Sequence, residues 1–414
     1  MLIEPHIWDD THPSRASTLG KFTLVNNKEQ SGDTPPISIE SEPTPSSTHD
    51  SFTLPPIPEN APYTIRTSPG RGLGIFTTRP IPAGTRLIAE PPLLSVPHGR
   101  YRVADLEARY AALTPSQQAL YASLGSSHTQ RAKHWGVGVY KHIPRWDLER
   151  VREIQAIRCA GVKSVGSIFV TNCMGMGADG EGAGVFPTAA RCNHSCVPNA
   201  CFAWNERLGA ETVHAVRDLE MGEEVLVSYC YVLHARDLRR WELRGYGFEC
   251  ECEVCEGDSW DVGSKVARSL ARRARVSELD EWVGKRVKMF GLGFEGPEEV
   301  PGKNGEVGSV DGSDEGLLTL APSREVLSQI FLMAIEMVSL LRDEGLVCPL
   351  LAGGYMTIAL LCVALGDLNF AIDAAQKGLD TFLIIYGDDH YRAIETAARV
   401  RELKVKAGVG NTDD

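Results

Sequence analysis

The sequence predicts an α+β protein, and three observations predict it. Short runs rich in β-branched and aromatic residues, punctuated by Gly and Pro, begin near residue 61 and return over 166–230. A helical pattern is inserted between them, and amphipathic stretches follow toward the C-terminus. With 414 residues, 43% of them hydrophobic, the chain can bury one or two substantial cores.

Residues 1–60 ("TPPISIESEPTPSSTHD" among them) are rich in Pro, Ser and Thr and carry no sustained apolar period, so a disordered tail is expected. From 61 to 245 the strand-like runs form one domain. Its helical insertion covers about 103–165, where "VADLEARYAALTPSQQALYASL" places apolar residues three and four apart and offers a Thr-Pro start. In "ETVHAVRDLEMGEEVLVSYCY" a turn at Met221-Gly222 leads into an apolar strand ending at Tyr229. A cysteine-rich loop spans 246–258, and a helical segment 259–295 follows. Its basic run "SKVARSLARRARV" reads as a solvated helix face rather than a nucleic-acid contact. Residues 296–316 are Gly- and acid-rich, as a flexible linker is. Residues 317–408 form helices whose small residues Ala364, Gly366, Ala371, Ala374 and Ala375 suit close-packed, tetratricopeptide-like hairpins.

The formal net charge of -12 argues against general nucleic-acid binding and suits a basic, flexible peptide partner. The most apolar stretch, "YMTIALLCVALG", is too short to span a bilayer, and the N-terminus shows no signal-peptide pattern, so no membrane association is expected. Eleven cysteines, an odd number, point to reduced thiols or metal ligands, and hence to the nucleus or cytoplasm.

"GFECECEVC" gives Cys250, Cys252 and Cys255, three thiolates on one short loop. A structural zinc site needs four ligands, so one must come from elsewhere. "RCNHSCVPNA" offers Cys196, with His194 and Cys192 as rivals, since zinc tolerates three thiolates and an imidazole equally. Cys159, Cys173, Cys348 and Cys362 read as ordinary core thiols. Glu223 and Glu224, adjacent in a strand, point to opposite faces and cannot share one substrate atom; they read as turn and surface residues, one of which could fix the crossing of the two segments.

In order along the chain, "SPGRGLGIF", "RCNHSCVPNA", "GEEVLVSY" and "YGFECECEVC" resemble the signature of SET-domain protein lysine methyltransferases, over roughly residues 61–258. The helical insertion and helical C-terminal domain make the chain similar to the SET and MYND branch and its fungal relatives. One departure stands out: the first cysteine is Cys159, so the MYND zinc module of that branch is missing from the insertion.

The resemblance implies small curved β-sheets with a knot-like crossing of the Asn193-His194 segment and the strand ending at Tyr229, a post-SET zinc loop, and methyl transfer from S-adenosylmethionine to a lysine of a protein substrate such as a histone tail. It implies that Tyr229 is catalytic, and that Gly70, Arg71, Gly72, Asn193, His194, Tyr229 and Phe248 bind the cofactor, with a weaker claim for Asn172. Phe169 and Tyr246 would wall the lysine channel, and Cys196, Cys250, Cys252 and Cys255 would hold a structural Zn2+. A monomer is expected. The alternative is a catalytically silent SET-like scaffold for protein interaction.

Overall fold

A computed structural model describes residues 54–97, 101–129, 145–177, 182–292 and 322–409, with the backbone alone over 145–151. Most of the expected tail (1–53) and the whole 296–316 linker lie outside the described residues. Residues 54–60 belong to the ordered part: Pro55 is buried and Ile57 packs on the core beside β1 (Tyr63–Ser68), so apolar contacts fix a stretch that its composition assigned to the tail.

β1 pairs antiparallel with β2 (Gly72–Thr77) across a turn in which Gly70 and Gly72 adopt φ of 72° and 77°, a region costly for any residue with a Cβ. β3 (Arg86–Glu90), β9 (Ala210–Ala215) and β8 (Ala200–Asn205) form a second antiparallel sheet in the order β3-β9-β8. β4 (Leu94–Val96), β6 (Gly182–Val185) and β5 (Cys173–Met176) form a third, in the order β4-β6-β5.

Between β4 and β5 lie α1 (Val103–Ala111), α2 (Pro115–Ala122), α3 (Arg145–Arg158) and α4 (Val165–Asn172). α2 starts where the Thr-Pro signal predicts: Thr114 Oγ1 accepts from Gln117 N at 3.3 Å, and Gln117 returns a bond to Thr114 N at 3.0 Å. Leu106, Tyr121 and Leu124 form the core of this layer with Val185 of β6.

The crossing that matters for the site is small. β7 (Asn193–His194) runs parallel to β10 (Leu226–Val227), which ends two residues before Tyr229. It ends there because the Tyr229 amide turns from the ladder and donates to His194 Nδ1 at 2.9 Å. After α5 (Arg236–Leu243) and the cysteine loop comes α6 (Lys265–Met289), then α7 (Arg324–Asp343), α8 (Pro349–Leu365), α9 (Leu368–Tyr386) and α10 (Tyr391–Lys406).

Two expectations about these helices are corrected. The basic face of α6 is not wholly solvated: Arg273 shares a buried stripe with Val266, Ser269, Val276 and Leu279. Its Nε meets Glu344 at 2.8 Å and its Nη2 donates to the Cys196 carbonyl at 2.9 Å, joining the helices to the cysteine region. Of the five small residues, Ala371, Ala374 and Ala375 are buried between helices, but Gly366 is the left-handed cap that ends α8, which leaves Ala364 exposed in the last turn.

The helical domain is tied to the SET-like sheets at the α9–α10 turn. Asp389 accepts from Asn205 Nδ2 at 2.9 Å and pairs with Arg86, whose Nε donates to His214 Nε2 at 3.1 Å. Burial holds His214 and the adjacent His390 neutral, with pKa values near 4 in each case. Unfolding frees both rings to protonate near 6.5, so the unfolded chain binds more protons between pH 6.5 and 4 and stability falls as pH drops through that window. Each histidine is expected to cost about 1–2 kcal/mol between pH 8 and pH 5. Urea midpoints at the two pH values measure it, and His214→Gln with His390→Gln should flatten the dependence.

Candidate active site

The four predicted thiols meet. Sγ of Cys196, Cys250, Cys252 and Cys255 all lie within 4.8 Å of one another, and Cys196 Sγ is 3.9 Å from Cys250 Sγ and 3.5 Å from Cys255 Sγ. Ligands about 2.3 Å from a tetrahedral zinc sit about 3.8 Å apart, so the spacing fits. The charge fits as well. Arg239 is fully buried, and its Nε and Nη2 donate to Cys196 Sγ at 3.3 Å and Cys255 Sγ at 3.5 Å. A guanidinium keeps its charge under such conditions and needs an anion, and four thiolates around Zn2+ carry two surplus negative charges.

The two rivals for the fourth ligand have other partners. His194 Nδ1 accepts from Tyr229 N, so Nε2 carries the ring hydrogen and donates to Cys196 Sγ at 3.3 Å. The imidazole is thus a support for a ligand. Cys192 packs in the core of the β-sheets, and its carbonyl accepts from Tyr229 Oη at 2.6 Å.

Through His194 the cluster is continuous with an aromatic group. The Tyr229 ring lies 4.8 Å from that of Tyr246, 5.4 Å from His194 and 6.2 Å, edge to face, from Phe248. The rings of Tyr229, Tyr246 and Phe248 border a cleft of about 690 Å³ that Arg71, Gly72 and Asn193 also line. Burial raises the Tyr229 phenol far above its usual range and the Tyr246 phenol to about 12, so both remain O–H groups at neutral pH.

Asn193 is fixed by two acceptors: its Nδ2 donates to Glu224 Oε1 at 2.8 Å and to Leu73 O at 3.3 Å. Glu223 accepts from Asn199 Nδ2 at 3.0 Å. Both carboxylates therefore clamp the β7–β10 crossing, where the sequence suggested that role for one of the two acids. At Gly74 a Cβ would stand 2.4 Å from Glu224 Oε1 and 3.0 Å from Asn193 Nδ2.

Not every predicted residue reaches the cleft. Gly70 shapes the exposed β1–β2 turn, and the His194 side chain lies behind Tyr229. Phe169 is corrected outright. It sits on α4 with no exposed surface, edge to face with Tyr101 at 5.0 Å in the core of the helical layer, because its helix turns that side chain away from the cleft. Asn172, one turn further along α4, lines the cleft and donates to Gly125 O at 2.8 Å. The sequence also gave no warning of Arg158, which is buried and bridges Gly245 O (2.8 Å) and Val170 O (3.0 Å), anchoring the turn before Tyr246 to the inserted helices.

Residues 72–230 match the SET domain family. The chain is similar to histone-lysine N-methyltransferase set5 of Schizosaccharomyces pombe, 30% identical over 227 residues, 54% of this chain and 58% of that one. It is also similar to two human proteins of the SET and MYND branch: N-lysine methyltransferase SMYD2 (32% over 118 residues, 27% of each chain) and histone-lysine N-methyltransferase SMYD3 (39% over 83 residues, 20% of this chain and 19% of that one). The chain thus spans just over half the length of the yeast relative and about a quarter of SMYD2. A solved structure of the SET domain of LSMT bound to lysine and AdoHcy covers 84% of this chain and 89% of its own, at 14% identity and a TM-score of 0.32.

Proposed function

We propose that the chain is an S-adenosylmethionine-dependent methyltransferase acting on a lysine side chain of a protein. The observation that carries this reading is the convergence of Tyr229, Tyr246, Phe248 and Asn193 on one end of the cleft, buttressed by the cysteine cluster.

S-adenosylmethionine would supply a methyl group on a positively charged sulfur. The residues fit it. Both Nδ2 hydrogens of Asn193 are spent on Glu224 and Leu73, which leaves Oδ1 as an acceptor suited to an ammonium. The backbone at Arg71 and Gly72 forms a wall without bulky side chains at the glycine, and Phe248, 36% exposed, presents an aromatic surface for a planar ring.

The chain's own contribution is placement. Lysine is cationic at its reference pKa of about 10.4 and must arrive as the neutral amine. A passage walled by Tyr229 and Tyr246 disfavours the ammonium by desolvation and keeps the alkyl chain straight. Because Tyr229 Oη donates to the Cys192 carbonyl, its lone pairs are left to accept from the amine N–H and hold the nitrogen in line. No side-chain base is needed.

The acidic chain suits a basic, flexible protein segment such as a histone tail, in the nucleus or cytoplasm. Tyr386, His390 and Tyr391 wall the far side of the cleft, so the helical domain would help select that segment.

A thermal shift tests the reading. A cofactor that binds only the folded state at a hundred times its Kd stabilises it by about 2.7 kcal/mol, which should raise the melting temperature by several degrees. No shift with saturating S-adenosylmethionine or S-adenosylhomocysteine in the zinc-loaded protein would favour the silent-scaffold alternative.

A further inference from the structure

Away from the aromatic end, the cleft passes Phe202 and Trp204 of β8 and reaches Glu206 and Glu211. Glu211 is anomalous. It has no exposed surface, and neither Oε1 nor Oε2 has a hydrogen-bond partner. Its neighbour across the sheet shows what a settled carboxylate looks like here: Glu90, opposite it on β3, accepts from Thr188 N, Thr188 Oγ1 and Ala189 N at 2.8–3.0 Å. On its other side Glu211 stands opposite Trp204, a half-buried ring. A buried carboxylate without partners is costly, and among the described residues no cation meets it.

We infer that Glu211, with Trp204 beside it and Glu206 at the rim, forms a subsite for an arginine side chain of the protein substrate, at a fixed spacing from the lysine that enters the aromatic passage. This rests on the reading that the cleft takes a protein segment. Arginine fits better than lysine because a carboxylate with two vacant oxygens matches the guanidinium fork, and the flat cation stacks on an indole. Burial, with the nearby charge of Glu90, raises the Glu211 carboxyl well above the usual carboxylate range. A docked guanidinium favours the carboxylate, and any proton on Glu211 passes to water as the ion pair forms.

The test uses fluorescein-labelled peptides, each with one lysine and one arginine moved stepwise along either flank, against the same peptides with citrulline in its place. Binding to the zinc-loaded full chain is read by anisotropy, and methyl transfer is read separately. Arginine at one spacing should bind about tenfold tighter than citrulline. Glu211→Gln should erase that difference and melt no lower than the wild type, since it removes an unpaired acid. Equal binding of arginine and citrulline at every position would overturn the subsite, as would an arginine preference that survives in a folded Glu211→Gln protein. The wild-type comparison requires no variant to fold. An arginine preference without methyl transfer would sink the proposed reaction and leave the subsite standing; transfer without the preference would do the reverse.

Discussion

Cys255→Ser, or treatment of the wild type with a strong chelator, is expected to abolish zinc content, cofactor binding and methyl transfer together. The physical reason is continuity. Cys196 lies two residues beyond the end of β7, His194 donates to its sulfur from the other side of the ring that receives the Tyr229 amide, and Tyr246 and Phe248 lie just before Cys250. Without the metal, three buried thiols, the half-buried Cys252 and the fully buried Arg239 lose the centre that balances their charge, and the loop carrying both rings is released. Structural zinc sites contribute binding free energy of order 10 kcal/mol, so partial occupancy at ordinary zinc levels is not expected. Metal analysis paired with S-adenosylmethionine titration measures it. Wild-type cofactor affinity in a zinc-free Cys255→Ser protein would show that the cluster and the cleft are independent.

The second large effect is at Tyr229. Tyr229→Phe keeps the ring and its contacts with Tyr246 and Phe248 but removes the hydroxyl that donates to Cys192 O. If that oxygen aligns the amine, kcat should fall about a hundredfold, the scale seen when one oriented catalytic hydrogen bond is deleted. Cofactor affinity should change little. A parallel loss of affinity would instead mean that the hydroxyl is a structural tie for the β7–β10 crossing.

Much of this was legible in the sequence because the informative residues recur as short, ordered motifs. The cysteine loop announces a metal site by spacing, and the Thr-Pro step marks the start of α2 to the residue. What escaped were side chains whose role depends on tertiary placement. Arg273 lies in a basic stretch that reads as solvated, yet it turns inward to Glu344 and the Cys196 carbonyl, and Arg239, which no motif singles out, turns inward to the thiol cluster. Phe169 failed in the opposite direction. An aromatic near the motif was assigned to the channel, but the face of α4 it occupies packs on the helical layer. Glu211 shows no pattern at all in sequence, since only the register against Glu90 and Trp204 reveals a carboxylate left without a partner.

The most direct measurement incubates the zinc-loaded protein with methyl-labelled S-adenosylmethionine, core histones and a whole-cell extract, then hydrolyses the labelled proteins and identifies the modified amino acid. The account predicts label in methyllysine on a discrete protein, sharply reduced with Tyr229→Phe. Label on another kind of residue, or none on any protein while the chain binds both zinc and cofactor, would contradict it.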